Sequence, residues 1–186
     1  MNFKPVIVDH NGDPSCNGVI VEGGRDCAPA TLSACNDRSN ETAERVGVIA
    51  EARRWIGTPY HDCQRVRGAG VDCAQLPAAV YQAAGVIPEI PQFYYSPQWH
   101  VHRTEERYLA MVMDHAREID ANPSPGDFVL FKVANCHAHG AIITAWPHII
   151  HAVSGLGVVE GDASRDPFAR KLLIDRQPRF FTLWGG

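Results

Sequence analysis

The sequence predicts an α+β domain in which a helix carrying a cysteine packs on an antiparallel β-sheet. Helical periodicity is confined to the first two thirds of the chain, and a series of short β-type runs follows it. Strands and helices do not alternate, which argues against a parallel sheet built from βαβ units. The best-defined helical stretch begins at Asp72-Cys73, so a thiol stands at a helix N-terminus.

The 186 residues are 45% hydrophobic and 20% charged, enough for one domain with a core and a modest extension. A formal net charge of -4 gives no electrostatic reason to expect nucleic acid as the partner. No apolar run approaches the ~20 residues that span a bilayer, so membrane insertion is not expected. Met1 to His10 has neither a basic start nor an apolar signal core, so synthesis in the cytoplasm without a signal peptide is expected. The six cysteines (Cys16, Cys27, Cys35, Cys63, Cys73 and Cys136) contain no C-x-x-C pair, and disulfides are not expected in a reducing compartment.

Residues 1–40 are rich in Gly, Asn, Asp, Ser and Cys, with strand-like runs at Val6-Ile7-Val8 and Gly18-Val19-Ile20-Val21. They read as an irregular N-terminal extension, and residues 41–186 as the domain that carries the core. From Glu41, Val46, Ile49, Ala50 and Arg53 with Trp55 and Ile56 fit an amphipathic helix closed by Gly57 and Pro59. Arg65 to Gly70 reads as a flexible loop. Leu76, Ala79, Val80, Ala83 and Ala84 then form the apolar side of the cysteine helix, which Gly85 ends. Pro77 falls within its first two turns, where it removes a backbone donor.

An ordered, aromatic-rich surface loop is expected from Ile87 to Trp99, with His100 and His102 beyond it as polar surface residues. Thr104 to Arg107 opens a second helix carrying Leu109, Val112, Met113 and Ala116. Strands follow at Phe128 to Lys132, Gly140 to Thr144, His148 to Val153, Gly157 to Glu160 and Arg179 to Trp184.

Chemistry centres on Cys73. The positive end of a helix dipole lowers a thiol pKa, so Cys73 is expected to be the most acidic and reactive thiol. Asp72 suits the N-cap position. A chain reversal about Ala145 sets His139 directly opposite His151, with Cβ atoms about 4.5 to 5.5 Å apart on one sheet face. One imidazole then faces the sulfur and the other holds the first ring through its second nitrogen. By alternation, His148 falls on the opposite face from His151, and His137 lies at the strand mouth.

Five motifs in order carry a resemblance: Gly57-Thr58-Pro59-Tyr60, Val71-Asp72-Cys73-Ala74, Pro125-Gly126-Asp127-Phe128-Val129-Leu130-Phe131, His139-Gly140-Ala141-Ile142 and Ile149-Ile150-His151-Ala152. Together they resemble the NlpC/P60 cysteine peptidases. Gly57-Thr58-Pro59-Tyr60-His61 and Arg67-Gly68-Ala69-Gly70-Val71-Asp72-Cys73 resemble the phage tail or phage cell-wall peptidase branch. The resemblance covers roughly residues 44–184 and implies a papain-like NlpC/P60 fold and hydrolysis of amide bonds in peptidoglycan stem peptides.

It further implies Cys73 as nucleophile, His139 as base and His151 as the orienting residue, with no cofactor. Tyr60 matches a site tyrosine that helps hold the oxyanion. Asp72 matches an acidic residue that either recognises a substrate amine or caps the helix. The amides at that helix end, Ala74 included, are the natural oxyanion donors. The chain departs from the family at Ala74-Gln75, where Ser-Gly is frequent, and the larger Gln75 is expected to narrow or repack the floor of the site.

A phage or prophage origin follows from that branch, with phage tail proteins as partners and a virion component acting on the cell wall as the setting. Two other readings remain at this point. One is a structural tail-tip or wall-binding module with the same fold and little activity. The other is a zinc protein using Cys63, Cys73 or Cys136 with His137 or His139.

Overall fold

The computed structural model describes residues 30–96, 105–120, 122–165 and 173–185, with the side chains of residues 30–36 excepted. Val6-Ile7-Val8, Gly18-Val19-Ile20-Val21, Cys16, Cys27, Trp99, His100, His102 and Thr104 lie outside the described residues, as does the side chain of Cys35. Asn36–Gly186 forms one compact unit.

Helix α1 runs Ala30–Arg53 and so begins eleven residues before the expected start at Glu41. The apolar periodicity that marks a helix appears only where there is a core to face. Residues 37–40 are exposed, whereas Val48, Ala52 and Trp55 are buried. The earlier turns carry local side-chain bonds instead, such as Thr42 Oγ1 to the Arg38 carbonyl at 2.9 Å and Asn40 to Glu44 at 2.7 Å.

Arg45 anchors the helix. It pairs with Asp127 at 2.8 Å, donates to the Pro125 carbonyl at 3.0 Å, and lies 4.0 Å over the Trp184 ring. Asp127 is almost wholly buried, so this partner compensates its charge.

The stretch expected to be a flexible loop is a short hairpin, β1 (Arg65–Val66) and β2 (Gly70–Val71), paired antiparallel. Gly68, with φ of 78°, permits the turn. Helix α2 spans Gln75–Ala83. Helix α3 is only Arg107–Met113, because the following residues Arg117–Ile119 form an edge strand, β3, rather than a helix end.

The remaining strands are β4 (Phe128–Val133), β5 (Cys136–Ala145), β6 (His148–Val153), β7 (Gly157–Asp162) and β8 (Arg179–Thr182). They build a six-stranded antiparallel sheet in the order β3-β8-β4-β5-β6-β7. One face buries Phe128, Leu130, Ile142, Ile150 and Phe181 against Leu76, Val80, Val48 and Tyr108 of the helices. The other buries Val129, Phe131, Ala141, Ile143 and Ile149 with Leu173. The strand alternation expected from the sequence is therefore two-sided, since both faces are covered.

The β5–β6 register differs from expectation by two residues. The chain reverses at Trp146-Pro147, with Ala145 opposite His148, and an irregularity near Thr144 then brings Ile142 opposite Ile150. Continued along the strands, that register sets His151 opposite Ala141, so His139 and His151 are diagonal neighbours. A slip of two preserves the face of every side chain, which a slip of one would have reversed.

Candidate active site

Asp72 starts the cysteine helix. Its main-chain carbonyl accepts from Leu76 N at 3.0 Å, and its Oδ1 accepts from the amides of Ala74 at 3.0 Å and Gln75 at 2.9 Å. These bonds make Asp72 the cap of the turn that leads into α2. Oδ2 accepts from the Cys63 amide, the Tyr95 hydroxyl bonds the same carboxylate, and Asp72 has no solvent-exposed surface. The carboxylate is thus enclosed by donors from its own chain, which favours capping over recognition of a substrate amine. The Ala74 amide, expected as an oxyanion donor, is already committed to this cap.

Cys73 follows and lies beside β5. Its thiol donates to the Ala138 carbonyl at 3.6 Å, and the Gly140 amide, its own amide and the Tyr60 hydroxyl lie close enough to the sulfur to favour its charged form. The sulfur is thereby fixed alongside the residues that flank His139. Gly140 is needed for this approach. A Cβ there would collide with the Tyr108 hydroxyl and meet the Cys73 carbonyl at 3.1 Å.

His139 Nε2 lies 2.9 Å from His151 Nδ1, and the rings meet edge to face at 78° with centroids 5.1 Å apart. The His139 ring also rests against Phe131, 6.2 Å between centroids. One nitrogen of the His139 ring is therefore held by a second imidazole, which fixes the ring's orientation.

The electrostatics correct the expectation of an acidic thiol. Burial, followed by the neighbouring Asp72 carboxylate, pushes Cys73 up to about 12. The hydrogen bonds from Gly140, its own amide and Tyr60 act the other way without prevailing. Burial, then His151, then Arg176 hold His139 down to about 3. At neutral pH the resting pair is a neutral thiol and a neutral imidazole, because burial disfavours the charged form of each.

Tyr60 is positioned by the backbone. The Gly57 amide donates to Val158 and the Val158 amide to Thr58, each at 2.9 Å, so the turn before Tyr60 is seated on the start of β7. Tyr60 itself bridges Val71. Burial, with Cys73 and Asp72 nearby, raises its hydroxyl well above the usual phenol range, which keeps it a donor.

The other sequence candidates lie elsewhere. The buried His137 ring is clamped between Glu106 Oε1 at 3.0 Å and the Gln177 carbonyl at 3.2 Å. His148 is exposed opposite Asp162. The Cys63 thiol donates to the Tyr95 carbonyl at 3.2 Å. Among the described residues no group of three or more His, Cys, Asp or Glu is placed to hold a metal ion.

Gln75 does not narrow the site. It is fully buried and reaches across to the aromatic-rich loop: its Nε2 donates to the Phe93 carbonyl at 2.8 Å, and its Oε1 accepts from Arg65 Nε at 2.8 Å. Arg65 Nη1 donates to the Ile90 carbonyl at 2.7 Å, so the pair holds residues 90–93 as a strap beside α2. Sequence reasoning missed Arg65, Tyr95 and Tyr108. The one signal available was Gln75 itself, a polar residue on an otherwise apolar helix face, which demands partners.

The fold is that of NlpC/P60 domains. The NlpC/p60 domain of the peptidoglycan hydrolase SagA is 22% identical, with 74% of this chain and 96% of that one covered at a TM-score of 0.50. The peptidoglycan hydrolase RipB from Mycobacterium tuberculosis is 19% identical, covering 88% and 74% at 0.51. RipD from Mycobacterium tuberculosis, a non-catalytic NlpC/p60 domain protein adapted to peptidoglycan binding, is 14% identical and covers 76% and 98% at 0.49. No family model matches the sequence, and no curated protein matches it.

Proposed function

We propose that residues 41–186 form a cysteine peptidase that hydrolyses amide bonds in peptidoglycan stem peptides. The observation that supports this reading best is the sulfur of Cys73 fixed beside residues 138–140 while His139 is oriented by His151.

In this reading His139 takes the thiol proton as the sulfur attacks the substrate carbonyl carbon, so a resting thiolate is not required. The oxyanion is met by the Cys73 amide and the Tyr60 hydroxyl, both of which lie beside the sulfur. The resulting imidazolium gives its proton to the leaving nitrogen and the C–N bond breaks, leaving a thioester. Water, deprotonated by His139, attacks the thioester; the S–C bond breaks, the carboxylate leaves and the thiol regains its proton. No metal or organic cofactor takes part.

The Gly57–His61 and Arg67–Cys73 motifs support the further reading of a phage- or prophage-encoded enzyme, of the phage tail or phage cell-wall branch, that is a virion component acting on the host wall. Residues 1–40 are then an appendage available for docking to tail proteins. A wall-binding or tail-tip module without turnover is the second reading, in keeping with a thiol pushed up by burial and by the Asp72 carboxylate. Mass spectrometry of peptidoglycan fragments after incubation tests the choice. The peptidase reading expects shortened stem peptides from the native protein and none from Cys73→Ala. Intact fragments from both, with the protein retained on the wall, would favour the binding module.

A further inference from the structure

We propose that Tyr108 is a positioning residue for Cys73, supplying the hydrogen bond to the Cys73 carbonyl that Pro77 leaves unmade. The inference rests on reading Cys73 as the nucleophile.

In an α-helix each carbonyl accepts the amide four residues on. Leu76 N meets the Asp72 carbonyl at 3.0 Å, so the ladder of α2 starts there. The next rung belongs to Cys73 and residue 77, which is proline and has no N–H; its ring also crowds the carbonyl four residues back. The Cys73 carbonyl therefore lacks the i+4 amide partner of a regular helix. The Tyr108 hydroxyl donates to it at 3.1 Å, from a side chain that is almost wholly buried. Gly140 leaves the space for this contact, since a Cβ would collide with that hydroxyl.

The donor is firmly mounted. Two residues earlier, Glu106 accepts the His137 amide at 2.8 Å and meets its ring at 3.0 Å, so the start of α3 touches β5 on both sides of His139. Tyr108 thus ties the nucleophile's main chain to the strand of the base. Neither group touches substrate, and the effect is on where the sulfur sits relative to the Gly140 amide.

The test is a double-mutant cycle of Tyr108→Phe and Pro77→Ala, since an alanine at 77 restores the missing main-chain donor. Two rates are read: alkylation of Cys73 by iodoacetamide across a pH series, and kcat and KM on a stem peptide. Tyr108→Phe alone is expected to slow alkylation at fixed pH and lower kcat about tenfold at unchanged KM, the size of one lost hydrogen bond. In the Pro77→Ala background the same change is expected to cost less than about twofold. Equal losses in both backgrounds, or no loss in either, would overturn the proposal. If Tyr108→Phe alone fails to fold, a folded double variant supports it and an unfolded one overturns it. Alkylation needs no substrate, so coupled alkylation rates without stem-peptide cleavage would sink the peptidase reading and leave this inference standing.

Discussion

His139 Nε2 and His151 Nδ1 lie 2.9 Å apart across a diagonal of the β5–β6 pair, not between directly opposed residues. The contact survives a two-residue displacement of the register because both side chains keep their face. If His151 acts only by orienting the base, His151→Ala should lower kcat on the order of 10²-fold with KM nearly unchanged. His151→Gln and His151→Asn should keep part of the rate, because either amide can serve the ring nitrogen. His148→Ala, at an exposed position, is the matched control. Turnover lost in His148→Ala but kept in His151→Ala would refute the assignment.

The face shared by the two histidines was legible in the sequence because strand alternation is a local property that an even slip leaves intact. The Asp72 cap was legible for a similar reason: an acidic residue just before an apolar helix has its partners within three residues. What could not be read depends on contacts distant in the chain. The partners of Gln75 lie ten residues before it and eighteen after it, and Tyr108 meets Cys73 across thirty-five. The early start of α1 left no apolar stripe to detect. The direction of the thiol's shift is not legible in the sequence, because burial is a tertiary quantity, and here burial and then Asp72 raise it.

The neutral resting pair makes stability fall towards both pH extremes. His139 is held to about 3 against an ordinary 6.5, so below that value the unfolded chain binds a proton the folded one refuses, and stability falls as pH drops. Cys73 is held up to about 12 against 9.0, so above the latter the unfolded chain sheds a proton the folded one keeps, and stability falls as pH rises. Urea unfolding across pH should show the acid-side slope reduced by up to about one proton in His139→Gln, and the alkaline-side slope reduced likewise in Cys73→Ala. Unchanged slopes would mean that neither group is perturbed.

Asp72 caps the helix and also raises the Cys73 thiol, and two substitutions separate these effects. Asp72→Ala strands buried amides, including that of Cys63, and should cost about 2–4 kcal/mol in urea unfolding. Asp72→Asn keeps one accepting oxygen while removing the charge, so alkylation of Cys73 should shift to lower pH. A shift to higher pH would show that the carboxylate does not act on the sulfur.

The appendage reading of residues 1–40 predicts that a chain beginning at Ser39 folds cooperatively. Glu44 and Arg45, which bond Trp184 and Asp127, lie beyond the cut. Thermal unfolding should stay a single transition; loss of folded protein would mean that the removed residues complete the core.

The proposed peptidase chemistry requires that Cys73 become acylated during turnover. Intact-protein mass spectrometry after acid quench, with a stem peptide in excess, measures it directly, and fragmentation assigns the site. A transient mass increase equal to the acyl portion of the substrate is expected on Cys73, absent from Cys73→Ala and from His139→Ala. Cleaved product formed at the native rate by Cys73→Ala, or an adduct located on Cys63 or Cys136 instead, would contradict it.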